Sequence, residues 1–205
     1  MGDLRAEKVA LRRAVLARRG ALPDAARADL SRRITAALLA QPALTRARTV
    51  AAYLSFGSEF ATADFLAHVL AAGKRLVLPR VDREQRRLAL HAVRDLGGDL
   101  VPGVWGIREP SPERCPSATL HDVDLVLAPG VAFSPSCERL GYGGGFYDQL
   151  LAGRGTHPLV IAAAFDVQIV DLLPTGPGDV PVDLVITESA TYRRTPSPPA
   201  GEGEG

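Results

Sequence analysis

A ten-residue segment rich in glycine contains the residues best suited to chemistry in this sequence. It runs Arg139-Leu140-Gly141-Tyr142-Gly143-Gly144-Gly145-Phe146-Tyr147-Asp148. Four glycines in five positions let backbone N–H groups come close to a bulky ligand. A helix predicted to begin at Phe146 adds the positive end of its dipole. The segment therefore predicts a site for an anion such as phosphate, with Arg139 supplying a charge and Asp148 a carboxylate for a phosphate-bound metal ion.

This glycine segment matches neither of the standard nucleotide motifs. A dinucleotide fingerprint requires a third glycine where Phe146 stands, three residues after Gly143. A P-loop requires Gly-Lys-Ser/Thr, but the pair Gly73-Lys74 is followed by Arg75. A glycine-rich hairpin without any ligand is the alternative interpretation of this segment by itself.

The positions of apolar residues predict the elements that support this segment. Strands are expected at 50–56, 75–81, 88–93, 123–128, 159–165 and 182–186, and helices at 3–19, 24–39, 63–72, 146–152 and 167–173. This alternation predicts an α/β fold with a mainly parallel sheet, helices on both faces and an N-terminal helical segment. In such sheets ligands bind beyond the carboxyl ends of the strands. The glycine segment and Glu59 both follow predicted strands, so we expect them at one cleft.

Composition limits the class of protein. The 205 residues are 46% hydrophobic and 23% charged, which suits one domain, placed at 1–194, with a disordered tail rich in Pro, Ser, Gly and Glu at 195–205. A net charge of +1 predicts no general attraction to nucleic acid or to a membrane. The chain has no apolar run of membrane-spanning length, no apolar signal-peptide core and only two cysteines. We therefore expect a cytoplasmic protein.

Two cations lie on or beside the apolar stripe of the first predicted helix. Lys8 falls between Leu4 and Leu11, and Arg12 follows one turn later. Burying an unpaired cation is costly, so their position needs a cause. Either their apolar stems are covered while the charged groups reach water, or both cations face a bound anion.

Further candidates are a carboxylate, an aromatic ring and two aspartates. Glu59 follows a predicted strand, and three roles are open for it: it accepts a hydrogen bond from a ligand, it caps a turn, or it is exposed to solvent. Trp105 has two possible roles: it stacks on a flat heterocycle of a ligand, or it fills a small satellite core. Asp179 and Asp183 are turn and strand-start residues, or one of them joins Asp148 on Mg²⁺. The four histidines show no metal-ligand spacing, and there is no sign of a catalytic triad.

With these segments in hand, the chain resembles the 5-formyltetrahydrofolate cyclo-ligase family, also called methenyltetrahydrofolate synthetase. Five segments carry the resemblance: Lys8-x-x-Leu11-Arg12, Leu54 to Glu59, Pro129 to Phe133 with Arg139 to Asp148, Ala164-Phe165-Asp166-x-Gln168, and Asp179-x-Pro181-x-Asp183. Their order and spacing cover the chain from Lys8 to about Thr187. Gln149, Ser134, Cys137 and Gly178 depart from the family pattern, in which arginine, aspartate, glycine and histidine are expected.

The resemblance implies an ATP- and Mg²⁺-dependent enzyme. It would convert 5-formyltetrahydrofolate to 5,10-methenyltetrahydrofolate, ADP and phosphate through a phosphorylated formyl group, an iminium phosphate. By this resemblance Lys8 and Arg139 are catalytic, Leu54, Glu59 and Trp105 bind folate, and Asp148 and Asp183 bind metal. The implied ATP-binding residues are Lys8, Arg12, Arg139, Leu140, Gly141, Tyr142, Gly143, Gly144, Gly145, Phe146 and Tyr147.

Two other functions remain open at this point. One is a paralogue that uses the same ATP site on another amide or pterin-like substrate. The other is a nucleotide- or folate-binding module without turnover. The presence of Lys8, Arg12, Arg139 and Asp148 together favours an enzyme, and we expect a monomer whose partners are a small folate and ATP.

Overall fold

The computed structural model describes residues 2–195, apart from the side chains of Asp3 and Trp105. The helices in this range are α1 (Gly2–Gly20), α2 (Asp24–Leu39), α3 (Pro42–Arg46), α4 (Ala63–Ala71) and α5 (Phe146–Leu151). The strands are β1 (Thr49–Ala51), β2 (Arg75–Asp82), β3 (Arg87–Val93), β4 (Leu100–Pro102), β5 (Arg108–Pro110), β6 (Ser117–Ala118), β7 (Leu125–Ala128), β8 (Ala132–Phe133), β9 (Arg139–Leu140), β10 (Leu159–Ala163), β11 (Leu184–Ile186) and β12 (Thr191–Arg193). The predicted tail lies outside the described residues except for Thr195.

Eight strands form one central sheet in the order β12-β11-β10-β7-β1-β2-β3-β6. The five strands from β11 to β2 are parallel. β12 on one side and β3 on the other run antiparallel to them, and β6 pairs antiparallel with β3. The predicted mainly parallel sheet in a single domain is therefore confirmed. The strands β4 and β5, and the strands β8 and β9, form two separate hairpins.

Alternate residues of the parallel strands enter cores on opposite faces of the sheet. Val50 of β1 belongs to a core that includes residues of α2 and α4, whereas Ala51 belongs to a core that includes Leu151 of α5. This is the two-residue period of a strand covered on both faces.

The helix α1 packs elsewhere. Its fully buried Val15 lies in a third apolar cluster with Val131, Leu140 and Leu173, and so rests against the hairpin of β8 and β9. The same face of α1 is thereby brought to the glycine segment, whose first two residues form β9. None of the described helices is both long and apolar enough to cross a membrane.

The strand predicted at 50–56 ends early because the chain closes into a loop. The Ser55 backbone N–H donates to Thr62 Oγ1 at 3.0 Å, and the Thr62 N–H donates to Ser55 Oγ at 3.1 Å. The Thr62 hydroxyl thus holds the loop together and makes no side-chain cap for α4. This loop carries Glu59.

The helix predicted at 167–173 is wrong, since the chain forms only a 3₁₀ turn at Asp166–Gln168. The buried Gln168 side chain explains the difference, because its amide nitrogen donates to the carbonyls of Gly130 and Val131. The chain then continues beside β8, where the Val170 N–H donates to the Phe133 carbonyl at 2.9 Å. These bonds fix the start of the hairpin on which Arg139 lies.

We expect Gly130→Ala to destabilise the fold, because a Cβ atom there would lie 2.4 Å from the Phe133 ring and 3.1 Å from Arg139 Cγ. Overfilling a packed core costs about 1–3 kcal/mol. Urea unfolding followed by circular dichroism measures the loss. Gly20→Ala is the control, since nothing lies within 4 Å of its added Cβ, and equal midpoints for the two variants would contradict the packing argument.

Candidate active site

A cleft of about 560 Å³ lies at the carboxyl ends of the parallel strands. Its walls come from the loop after β1, the end of β2, the hairpin of β4 and β5, and the glycine segment with the first turn of α5. The lining residues are Tyr53, Leu54, Phe56, Glu59, Leu78, Pro79, Val81, Leu88, Val104, Ile107, Arg108, Glu109, Pro129, Arg139, Gly141, Tyr142, Gly144, Gly145, Phe146, Tyr147 and Asp148. The loop of Glu59 and the glycine segment thus share one cleft, as expected from their positions after predicted strands.

The glycine segment is shaped for close approach of a ligand. Gly143 and Gly145 have φ values of +105° and +69°, which favour glycine, and a Cβ at Gly144 would lie 2.8 Å from the Phe146 ring. The N–H groups of Gly143 and Gly144 donate to no acceptor within the described residues. Donors left free in an exposed loop are suited to phosphate oxygens. The helix α5 has only six residues, so its dipole contributes less than a long helix would.

Arg139 lies buried beside this segment, with 4% of its surface exposed. Its guanidinium donates to Asp148 Oδ1 at 2.5 Å, and the Val180 N–H donates to the same oxygen at 3.1 Å. Burial lowers the pKa of Arg139, and the charge of Asp148 opposes that shift. Arginine remains protonated in proteins, so the site holds a fixed cation.

A buried donor of this cation is not used. The Arg139 Nε–H is buried and has no hydrogen-bond partner in the described part of the chain. The guanidinium also lies 5.9 Å from the ring centroid of Tyr147. A desolvated donor without a partner costs about 1–3 kcal/mol, and an anion in the cleft would recover part of that cost.

The two cations of α1 have specific partners. Lys8 Nζ forms an ion pair with Asp179 Oδ2, while Arg12 Nε donates to the Gly141 carbonyl at 2.7 Å. The guanidinium carbon of Arg12 also lies 3.5 Å from the position that a Cβ on Gly143 would take. Lys8 and Arg12 therefore contact the chain around the glycine segment, although neither lines the cleft itself.

Glu59 sits in a chain of hydrogen bonds that crosses the cleft wall. The Tyr142 hydroxyl donates to Glu59 Oε1 at 2.5 Å, and the Phe56 N–H donates to Glu59 Oε2 at 3.0 Å. Arg19 donates from one terminal nitrogen to the Tyr142 hydroxyl at 2.9 Å and from Nε to Ser58 Oγ at 3.1 Å. A loop after β1, the glycine segment and α1 therefore meet at the Tyr142 hydroxyl.

The environment of Glu59 changes its acidity. Glu59 is 7% exposed, and this burial raises its pKa above the ordinary glutamate value, against the hydrogen bonds from Tyr142 and Phe56 and the charge of Arg19. Burial also raises the pKa of Tyr142, so this phenol stays protonated and acts as the donor. Glu59 is thus a buried acceptor at the edge of the cleft.

Other predicted site residues fall in different places. Leu54 lines the cleft, while Leu140 is buried in the cluster beneath α1, so its side chain serves packing. Trp105 belongs to a 3₁₀ turn at Val104–Gly106 whose Val104 lines the cleft, but the Trp105 side chain lies outside the described residues.

The structure does not bring Asp183 into the cleft with Asp148. Asp183 lies at the start of β11, where its Oδ1 accepts from Arg154 at 2.8 Å and its Oδ2 from the Val160 N–H at 2.7 Å. Val160 is the second residue of β10, so Asp183 is near the amino ends of these parallel strands. Its placement corrects the expectation of a second metal ligand, because both carboxylate oxygens are used away from the site.

Asp148 by itself fits a single protein ligand for Mg²⁺. Both of its hydrogen bonds end on Oδ1, and its Oδ2 has no hydrogen-bond partner in residues 2–195. Among the side chains that the structure describes, there is no cluster of three or more His, Cys, Asp or Glu that could hold a metal. Magnesium bound to a nucleotide commonly takes one or two carboxylates, with phosphates and waters completing its shell.

Sequence reasoning missed Arg19 and Tyr53. Arg19 continues the spacing of Lys8, Leu11 and Val15 along α1, so a third inward cation was visible in the pattern. Tyr53 carried no such signal, because a buried tyrosine after a strand is common in cores.

Ser134 and Cys137, two positions at which the sequence departs from the family pattern, lie in the turn between β8 and β9. Cys137 has a φ of +67°, where glycine is favoured, and it is fully buried. Ser134 Oγ accepts from the Glu138 N–H at 3.1 Å and donates to the Glu138 carboxylate at 2.9 Å. The turn before Arg139 is thus closed without the expected aspartate and glycine.

Comparison with known proteins gives one consistent family. Residues 4–188 match a family described as the 5-formyltetrahydrofolate cyclo-ligase family. A 5-formyltetrahydrofolate cyclo-ligase of Mycolicibacterium smegmatis is 35% identical over 182 residues, covering 88% of this chain and 93% of that protein. The protein of the same name from Escherichia coli is 31% identical over 85% of this chain and 97% of its own length.

A solved structure agrees with these matches. The NMR structure of Aquifex aeolicus 5,10-methenyltetrahydrofolate synthetase superimposes with a TM-score of 0.82 at 31% identity. The superposition covers 96% of this chain and 97% of that one.

We expect both cysteines to be unreactive in the native protein. Burial raises the pKa of the Cys137 thiol to about 11 and also raises the pKa of Cys115, so at pH 8 little of either is thiolate, the reactive form. The measurement is the rate of reaction with a chromogenic disulfide reagent at pH 8. Urea-unfolded protein is the control and should show two thiols, whereas native reaction as fast as free cysteine would contradict the prediction.

Proposed function

The chain belongs to the 5-formyltetrahydrofolate cyclo-ligase family, and we propose that it uses ATP and Mg²⁺ to close 5-formyltetrahydrofolate to 5,10-methenyltetrahydrofolate. The observation that carries the proposal is the arrangement of one cleft. Free glycine N–H groups and the unpaired Arg139 Nε–H are present at the glycine segment, and the buried acceptor Glu59 belongs to the loop after β1. These features suit a phosphate donor and a ring system with N–H groups.

The chemistry requires the formyl oxygen to become a leaving group. In the proposed path this oxygen attacks the γ-phosphorus of ATP, the bond to ADP breaks, and an iminium phosphate forms. N10 of the folate then adds to the formyl carbon, loses its proton, and the C–O bond breaks to release phosphate. No protein nucleophile takes part, which agrees with the lack of a triad signature in the sequence.

The side chains at the glycine segment would serve phosphoryl transfer by placing charge. Arg139 and the N–H groups of Gly143 and Gly144 would bind oxygens of the transferred phosphate, since catalysis of this reaction depends mainly on positioning and charge neutralisation. Asp148 Oδ2 would hold Mg²⁺, which supplies additional neutralisation of phosphate charge. Lys8 would turn from Asp179 to a phosphate oxygen.

The opposite wall would orient the folate. Glu59, fixed by Tyr142 and the Phe56 N–H, can accept hydrogen bonds from the N–H groups of a pterin ring. The apolar wall between the two loops includes Leu54, Leu78 and Phe146. This wall would exclude water from the phosphorylated formyl group, which water would otherwise hydrolyse.

The first prediction of this proposal is turnover. Purified protein mixed with 5-formyltetrahydrofolate and Mg-ATP should form a product with the ultraviolet absorbance of the methenyl compound. A reaction without ATP is the control and should form no product through the enzyme. ATP-independent product, or none with ATP present, would overturn the proposed reaction.

A second prediction distinguishes the proposed ATP-binding half of the cleft, at the glycine segment, from the proposed folate-binding half, at Glu59. Lys8→Met should raise the KM for ATP, and Glu59→Gln should raise the KM for folate. Each increase should be roughly ten- to hundredfold, because a hydrogen bond to a charged group contributes about 1.5–3 kcal/mol. Steady-state kinetics with each substrate varied in turn measures both constants.

The exposed Arg13 on α1 provides the control for Lys8. Arg13→Met removes a cation from the same helix without removing a contact to the site, so its kinetics should match the native protein. The assignments fail if Glu59→Gln changes the KM for ATP instead of that for folate.

A further inference from the structure

We propose that Arg19 is a positioning residue that couples the two halves of the cleft, so that nucleotide on the glycine segment strengthens folate binding at Glu59. The proposal rests on the function proposed above for this cleft and adds a link between its two substrates. The link is the Arg19–Tyr142–Glu59 network, defined by these three side chains and their hydrogen bonds.

The network is anchored by two buried charged groups, Arg19 and Glu59, which are joined through the hydroxyl of the partly exposed Tyr142. Arg19 is 3% exposed and lies in the last turn of α1, where it is held in place by the packing of Val15 one turn earlier. Two of its nitrogens donate to different segments, one to Ser58 and the other to Tyr142. Its guanidinium carbon also lies 5.9 Å from the centroid of the Tyr142 ring. Such a residue fixes both segments against one rigid helix.

The direction of the hydrogen bonds makes Tyr142 the connecting group. A phenol has one proton to donate, and Tyr142 donates it to Glu59 while accepting from Arg19. A shift of the Tyr142 side chain therefore changes the position of the Glu59 carboxylate. Glu59 has a second anchor at the Phe56 N–H, in its own loop, so Tyr142 is its contact with the glycine segment.

Nucleotide would act on the network through the neighbours of Tyr142. Gly141 is held by Arg12 on one side of Tyr142, and the free N–H groups of Gly143 and Gly144 lie on the other. A phosphate bound to those N–H groups would fix the segment on both sides of Tyr142. The conformational freedom that Glu59 must lose to bind folate would then already be reduced, which gives positive coupling.

A purely structural role for Arg19 makes a different prediction. If the network served only to close the loops, removing it would lower stability and weaken both ligands independently. The coupling ratio, which is the folate Kd without nucleotide divided by the folate Kd with nucleotide, would then stay as in the native protein. This ratio separates the two roles, because coupling is reciprocal and is independent of overall affinity.

The experiment uses the full chain and titration calorimetry with 5-formyltetrahydrofolate, with and without a saturating non-hydrolysable ATP analogue and Mg²⁺. We expect a ratio of roughly fivefold or more in the native protein, at the lower end of common allosteric couplings. Tyr142→Phe removes the connecting hydroxyl and keeps the ring, and its ratio should fall below about twofold. Arg19→Met should behave in the same way.

Arg18→Met is the matched control, since Arg18 is the exposed neighbour of Arg19 on α1, and it should keep the native ratio. Should Arg19→Met fail to fold, Tyr142→Phe decides by itself. A native ratio near one, or a native-like ratio in Tyr142→Phe, overturns the coupling while turnover by the native enzyme leaves the proposed function standing. Failure of the native protein to bind or convert folate removes the proposed function and the coupling together.

Discussion

The burial of the Arg139 charge is the constraint on which the site depends. A desolvated cation must keep its partner, and removing one member of a buried ion pair costs about 3–5 kcal/mol. Arg139 lies at the end of the β8–β9 hairpin and Asp148 in the first turn of α5, so their pairing holds together the two ends of the glycine segment. The segment between them can therefore leave the N–H groups of Gly143 and Gly144 without partners among the described residues and still keep one shape. A loop with internal hydrogen bonds would be stable without this pair, but it would have no donors left for phosphate.

The position of α1 follows from the same requirement. One face of this helix carries both Val15, which is fully buried, and the cations Lys8, Arg12 and Arg19. That mixture is unfavourable for a helix that only covers a core. The partners of the three cations explain it. Lys8 pairs with Asp179, Arg12 donates to the Gly141 carbonyl, and Arg19 donates to Tyr142 and Ser58. Apolar packing sets the distance of α1 from the hairpin, and the cations then fix the loops.

Local patterns were sufficient for the fold and for part of the site. The two-residue period of the strands and the glycines of the loop are short-range signals, so the parallel sheet and the cleft at its carboxyl edge followed from sequence. The helix predicted at 167–173 failed because the Gln168 amide turns inward to bind backbone, which periodicity does not record. Asp183 is more instructive. It lies at the start of β11, at the amino ends of the parallel strands, whereas the cleft lies at their carboxyl ends. The contact of Tyr142 with Glu59 joins residues 83 positions apart, so only the folded chain shows it.

Under the proposed function, one cleft holds the Glu59 carboxylate beside a substrate rich in negative charge. Glu59 in its ionised form repels phosphate, and burial strengthens that repulsion by lowering the effective dielectric constant. Its raised pKa shows that burial already opposes the ionised form. Arg19 and the Tyr142 hydroxyl stabilise the charge from the side of α1, whereas Arg139 provides a separate cation at the glycine segment. The partners of Glu59 are thus different groups from the cation at the glycine segment. Arg19 does not line the cleft, and under the proposed coupling it acts on both substrates through the Tyr142 hydroxyl.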